Sequence, residues 1–297
     1  MSGATGGRFR DALRQRDFRL LVAAYVVDAL GSWAYSVVLA VYIFDRTGST
    51  EWLAAAAASR WVTGLLVGSY AGVLADRYER TRVMLVSALA SAAVMGIMAV
   101  VVGSDGPLWL LLVLSALSAV AASAYRPAAG ALTPEVVGEK DLTAANGLFS
   151  TLESLTVVLG PGAGGLLLLT GEPVIGVIIN AASFLVAAAL VLRLRVRAKG
   201  GAAAGENAFA QWLVGLKALA RQRVALMLVL FCALDSAIYG ASTVLYVPLS
   251  VHLGTGSSGY SYLLAGSALG GVIAAGLANK LSASSRLAPV ILGSIML

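Results

Sequence analysis

The sequence predicts an all-α membrane protein: a bundle of eight full transmembrane helices and a partial ninth, with its N-terminus in the cytoplasm. Three observations predict it. Of the 297 residues, 59% are hydrophobic and only 12% are charged, about half the charge of an average soluble domain. The apolar residues fall in unbroken runs long enough to cross a bilayer, which takes roughly 17–25 residues. The basic residues crowd into alternate connectors. A soluble chain of this length would have to hide almost all of its surface, which surface-to-volume scaling forbids. Hydrocarbon as solvent removes the contradiction. The 33 glycines fit the same class, since glycine is more frequent in transmembrane helices than in soluble ones.

The elements follow in order. Residues 1–19 form a cytoplasmic N-terminus, in which "RFRDALRQRDFR" (8–19) sets Phe9, Ala12, Leu13 and Phe18 among five arginines. That pattern is an amphipathic helix lying on the inner leaflet. Six spans come next, at about 20–43, 52–74, 83–103, 108–125, 147–170 and 173–192, forming an N-terminal six-helix bundle over 20–192. A cytoplasmic linker covers 193–223, with the Gly/Ala-rich stretch 199–208 as its flexible part. A second amphipathic helix at 209–220 carries Phe209, Trp212, Leu213, Leu216 and Leu219 on one face. Spans at 224–248 and 260–279 begin a second bundle (224–297), and a ninth apolar run of eleven residues ends the sequence. The chain is therefore expected to be incomplete at its C-terminus. The spans are helical because lipid offers the backbone no hydrogen-bond partner. The first apolar run is too long to be a cleavable leader.

The connectors set the orientation. Short ones at 45–51, 104–107, 171–173 and 252–259 alternate with charged or long ones: the N-terminus, 76–82, 126–146, 193–223 and 280–286. The second set holds 19 of the 21 Lys and Arg residues, leaving Arg46 and Arg60. That asymmetry puts the charged connectors and the N-terminus in the cytoplasm. It also makes the net charge of +6 a property of loops facing one leaflet rather than a nucleic-acid footprint.

Several chemistries are excluded. One cysteine, Cys232, and one histidine, His252, allow neither an internal disulfide nor a Cys- or His-ligated zinc site. No Ser/His/Asp set or pair of catalytic carboxylates stands at useful spacing, so an enzyme is not expected and no cofactor is called for.

An internal repeat is visible. "LADR" (74–77) returns as "LANK" (277–280), and the segment from Asp28 to the TGS at 47–49 aligns with that from Asp235 to the TGS at 255–257. Spans seven and eight thus repeat one and two, which implies a six-span unit.

Two motifs carry a resemblance. After span two, Gly72, Asp76, Arg77, Arg80 and Arg82 form a glycine, three residues, Asp-Arg, and two further basic residues. In span five, "LGPGAGG" supplies Gly160, Pro161, Gly164 and Gly165. The chain resembles the major facilitator superfamily over nearly its whole length. The first motif is similar to that family's loop between helices two and three, with Glu79 where a glycine is usual. The second is similar to the helix-five pattern of its exporters, with Thr156 in place of an upstream glycine. The beginning, "LRQRDFRLL…TGS", resembles the branch containing the enterobactin exporter and related multidrug exporters. The resemblance implies a major-facilitator-like bundle that exports small amphiphilic molecules, drug-like or siderophore-like, by alternating access. It also implies that Asp76 and its arginines act as a cytoplasmic gate. On packing grounds alone, Gly64, Gly68 and Gly72 give span two a smooth face for close approach, and Pro161 permits a bend.

Ionisable groups inside spans cost about 2.5–3.5 kcal/mol each, so each needs a reason. Four qualify: Asp28, Arg60, Glu153 and Asp235. Arg126, at the end of span four, reads as a snorkelling side chain. The functional reading places Asp28 and Glu153 in a central cavity where they take up and release protons; the structural one pairs either acid with Arg60 to hold helices together. Tyr25, Trp33, Tyr35 and Tyr239 are candidates for an aromatic wall. The expected function is a secondary transporter coupled by proton antiport in the bacterial cytoplasmic membrane. The alternative is a transporter-like receptor or scaffold that moves nothing, or an inactive fragment.

Overall fold

The computed structural model describes residues 13–198, 217, 221–255, 259–260, 262–264, 266–267 and 269–270. The side chains of Asp76, Asp235 and Tyr239, most of the eighth span, "LANK" (277–280) and nearly all of the amphipathic segment 209–220 lie outside the described residues. Every regular element among those described is a helix: α1 (Arg16–Thr47), α2 (Thr50–Arg77), α3 (Arg80–Gly103), α4 (Leu108–Ala122), α5 (Tyr125–Leu168), α6 (Pro173–Leu192) and α7 (Arg223–His252). Four stretches among the described residues are long and apolar enough to cross a membrane, namely Arg16–Thr47, Arg80–Gly103, Leu108–Leu168 and Pro173–Leu192.

The helices outrun the apolar runs at most ends. Asp17 in the first turn of α1 and Arg46 in its last complement the helix dipole. The chain then turns at Gly48, whose left-handed backbone (φ 60°) directs its N–H to Phe44 O at 2.7 Å. Ser49 caps α2 by accepting from the Trp52 N–H at 3.4 Å. The charged patch 76–82 is thereby reduced to a two-residue turn, Tyr78–Glu79, between the end of α2 and the start of α3.

The largest departure is at 126–146, expected as a long connector. Ser123 and Ala124 keep right-handed helical angles, so α4 runs on into α5. The stretch Leu108–Leu168 holds 61 residues; straight, it would reach about 92 Å, some three times the hydrocarbon thickness. Gly138 breaks it, with φ 73° and ψ 168°, a region essentially closed to residues with a Cβ. Two long passes thus meet at one glycine. Pro161 stays within helical backbone angles.

Helix α1 is the hub and packs most extensively against α5 and α6. The approach is close enough to exclude a β-carbon. A Cβ on Gly160 would collide with Trp33, and one on Gly164 would come within 2.7 Å of Ala34 O and 2.8 Å of the Val37 Cβ. On the α6 side, Gly176 faces Val38 at 2.7 Å, and Gly31 meets Ser183 and Asn180. Gly64, Gly68 and Gly72 behave otherwise: nothing described lies within 4 Å of a Cβ on any of them. The smooth face of α2 is therefore not a packed seam among the described residues.

The buried side chains divide by depth. Tyr35, Ile43, Met95, Met98, Leu111 and Phe184 fill the outer half; Leu21, Met84, Tyr125, Leu132 and Val191 fill the inner half. Arg46 is explained by the outer end. It donates to Gly106 O at 2.9 Å, to Asp105 O at 3.2 Å and to Tyr42 Oη at 3.0 Å, while Tyr42 donates to Asp105 Oδ1 at 3.2 Å. These bonds close the α3–α4 turn onto α1.

At the inner end, residues 194–198 leave α6 as an extended strap across the ends of α1 and α3. The Asp17 carboxylate accepts from the N–H groups of Arg195 (2.9 Å) and Val196 (3.0 Å). Thr81 donates to Val196 O at 3.1 Å and the Arg80 N–H to Ala198 O at 3.1 Å. Outside the bundle, Leu66, Val86, Val100 and Leu166 are 65–73% exposed, an apolar surface that water would not tolerate and lipid does.

Two outcomes test this packing. Gly164→Val should lower stability by about 1–3 kcal/mol through overpacking against α1, whereas Gly162→Val, whose side chain enters open space, should stay near neutral; thermal unfolding in detergent reads both. Gly138→Ala should cost about 1–3 kcal/mol through backbone strain alone, visible as a lower melting midpoint even though no neighbour is crowded.

Candidate functional site: two cavities along helix α1

Helix α1 opens onto a cavity of about 310 Å³ beside its contact with α5. Ser32, Trp33 and Ser36 of α1 line it with Arg60 and Trp61 of α2, Val244 and Val247 of α7, and Tyr260. The wall is apolar and aromatic with a few polar groups, the usual make-up of a small-molecule pocket. The Arg60 guanidinium lies 6.0 Å from the centroid of the Tyr35 ring, close enough for a cation–π contact. The Tyr35 hydroxyl donates to Met98 Sδ at 3.2 Å.

A second cavity of about 260 Å³ lies nearer the end of the bundle that holds the N-terminus of α1, lined by Tyr25, Arg126, Thr133, Asn146, Ser150 and Glu153 among others. Here Arg126 donates from Nη2 to Glu153 Oε1, closing an ion pair between the two passes that meet at Gly138. The Arg126 guanidinium also lies 5.9 Å from the Tyr25 ring centroid. Phe149 meets Tyr25 edge-on at 5.4 Å and Phe18 at 5.8 Å, which fixes the floor of the cavity.

Depth along the helices explains the pairing. Arg126 is twelve residues before Gly138 and Glu153 fifteen after it, so the two sit about 18 and 22 Å from the turn. The helix continues past Arg126 to Val137, and Arg126 pairs with Glu153 across the fold-back instead of standing alone. Asp28, twelve residues into α1, lies about 18 Å from that helix's inner end, at a matching level. It is half-buried and makes no ion pair among the described residues. The Tyr125 hydroxyl is buried without a hydrogen-bond partner among the described residues. Arg60 sits ten residues from the outer end of α2, about 15 Å from it. No ion pair between Arg60 and either acid is present among the described residues; Arg60 stacks on Tyr35 and faces the outer cavity instead.

The expected aromatic wall is split. Trp33 lines the outer cavity, Tyr25 the inner one, and Tyr35 is buried in the core beside Met98; Trp61 and Tyr260 join the wall without having been singled out. Asp235 and Tyr239 lie on α7 with side chains outside the described residues.

The two motifs are placed as follows. Thr156, Gly160 and Gly164 are all buried, and both glycines meet α1; Pro161 is buried beside them and Gly165 is half-buried. At the inner end, Gly72 is half-buried, and Asp76 lies near the end of α2 with Arg77 exposed at its last position. Arg80 turns inward, donating to Ala131 O at 2.9 Å and lying 3.6 Å from Glu135. Glu79 bridges Arg82 and Arg197, each at 3.1 Å. The residue that departs from the expected glycine thus ties the turn to the strap.

Comparison with known proteins follows the same lines. Macrolide efflux protein A of Streptococcus pyogenes is 25% identical over 151 residues, covering 50% of this chain and 37% of that protein. Multidrug efflux pump Tap of Mycobacterium tuberculosis is 28% identical over 188 residues, 61% of this chain and 45% of the pump. An uncharacterised MFS-type transporter of Bacillus subtilis is 25% identical over 181 residues, 61% of this chain and 42% of its own. The chain spans less than half the length of each. A profile of the Major Facilitator Superfamily matches residues 21–297. With that match, the chain belongs to the Major Facilitator Superfamily, a family of integral membrane transporters and not of enzymes.

Proposed function

We propose that this chain is part of an exporter of small amphiphilic molecules in the bacterial cytoplasmic membrane, working by alternating access and driven by proton antiport. The observation that carries the proposal is the Arg126–Glu153 pair in a cavity, with Asp28 at a matching distance along α1. On this reading the chain crosses the membrane eight times and enters a ninth helix, with its N-terminus in the cytoplasm. Residues 20–192 form one bundle, 193–223 the linker, and 224–297 the start of the second bundle. Names of the relatives, one a macrolide efflux protein and one a multidrug pump, support the direction of transport.

The physics of the pair suits coupling. The Arg126 and Glu153 side chains are 63% and 38% exposed to the cavity, so the pair is worth on the order of 1 kcal/mol or less and can exchange. A proton arriving from the outer side neutralises Glu153 and frees Arg126; loss of that proton to the cytoplasm restores the pair. Asp28, with no cation of its own among the described residues, is a second carrier. Arg80 and Arg82, with Asp76 and Arg77, act on this reading as the cytoplasmic gate. The outer cavity takes the apolar body of the substrate against Trp33 and Trp61, with Ser32, Ser36 and Arg60 as its polar contacts.

Two measurements test this reading. In everted vesicles, Glu153→Gln should cut pH-gradient-driven efflux of a fluorescent dye about tenfold or more and flatten its pH dependence, with Asp28→Asn giving a partial form of the same defect. If both variants keep the wild-type pH profile, proton coupling through these acids is wrong. Separately, Trp61→Ala should weaken binding of Nile red to the purified protein by roughly fivefold or more, read by dye fluorescence; an unchanged affinity would move the substrate out of the outer cavity.

A further inference from the structure

The strap that follows α6 has a two-residue period. Leu194 is buried, and Val196 and Ala198 pack against the inner core, while Arg193, Arg195 and Arg197 are exposed. Arg193 ends α6 in the right-handed helical conformation, and Arg195 and Arg197 follow on the exposed side of the strap, so three guanidinium groups stand outside the core. Its backbone is fixed by Asp17, Thr81 and the Arg80 N–H, and Arg16 adds a bond to Arg193 O at 3.2 Å. Arg197 is committed to Glu79. Arg193 and Arg195 have no acidic partner among the described residues.

These two arginines stand at the end of a lipid-facing stripe. Ile178, Leu185 and Leu192 of α6 are 52%, 53% and 56% exposed, and their spacing of seven residues keeps them on one face. The stripe runs directly into Arg193. An acyl chain lying along α6 would therefore bring its headgroup to the two free guanidinium groups at the cytoplasmic surface. The nearby acids do not oppose a negative headgroup. The Asp17 side chain is 12% exposed and is engaged by two backbone N–H groups and Arg16, and Glu79 is 17% exposed between two arginines. Arginine suits the role because its planar fork binds phosphate oxygens in pairs.

We infer that Arg193 and Arg195 form a binding site for the phosphate headgroup of an anionic phospholipid of the inner leaflet, with its acyl chain along the outer face of α6. The inference is independent of the transport mechanism. It is tested by native mass spectrometry of the purified protein titrated with phosphatidylglycerol or phosphatidylcholine. The wild-type chain should retain phosphatidylglycerol in preference. Arg193→Gln with Arg195→Gln should weaken that retention roughly tenfold to thirtyfold and leave phosphatidylcholine unaffected, while the double lysine variant should keep most of it. Arg82→Gln, which removes another exposed cytoplasmic arginine, should have little effect. Unchanged phosphatidylglycerol binding in the double glutamine variant, an equal loss in Arg82→Gln, or equal retention of phosphatidylcholine by the wild type would each overturn the site. Displacement by soluble glycerol phosphate at matching affinity would assign it to free phosphate and overturn the lipid assignment.

Discussion

The contact of α1 with α5 and α6 at backbone distance governs the rest of the structure. In lipid, apolar side chains gain nothing by leaving the solvent, so helices associate through close van der Waals contact and interhelical hydrogen bonds. Gly160 and Gly164 on one side, and Gly31 and Gly176 on the other, let α1 sink between its neighbours. Once it is seated, Ser32, Trp33 and Ser36 line the outer cavity, with Trp33 also resting against Gly160. The same seating leaves Asp28 half-buried and beside Tyr25, which lines the inner cavity. Packing and cavity lining thus share one helix, and Trp33 takes part in both.

The same economy appears in α5. Gly160 and Gly164 press against α1, while Glu153 faces a cavity across from Arg126. A helix that must offer small residues at one level and an acid at another cannot be uniformly hydrophobic, and the sequence of α5 shows the mixture. The fold-back at Gly138 then brings Arg126 and Glu153, 27 residues apart, to one depth.

What the sequence made legible was what each segment holds by itself. The sixth span was placed at 173–192 and α6 occupies Pro173–Leu192, because its ends coincide with the limits of an apolar run. At α1 and α3 the polar residues Arg16, Asp17 and Arg80 are helical too, and hydrophobicity alone stops short of them. The connector 126–146 looked like a loop because it is polar, yet only Gly138 breaks it, and a single glycine gives no such warning. The Arg126–Glu153 pair was hidden for that reason: it depends on where the turn falls. Spacing every four residues identified a face on α2 but not what it meets, so Gly64, Gly68 and Gly72 promised a contact that the described residues do not supply. Glu79 was visible as a departure from a pattern, but its two partners, one of them 118 residues away, were not.

The clasp made by Asp17 has a bearing on biogenesis. Its carboxylate sits at the first turn of the first helix, yet the amides that satisfy it belong to Arg195 and Val196. A ribosome feeding the chain into the membrane emits Asp17 nearly two hundred codons before those amides exist. Until then the acid lacks those two partners, and that end of α1 is unfastened. Assembly of this bundle is therefore finished from the end last made, with the newest segment drawn back to lock the oldest.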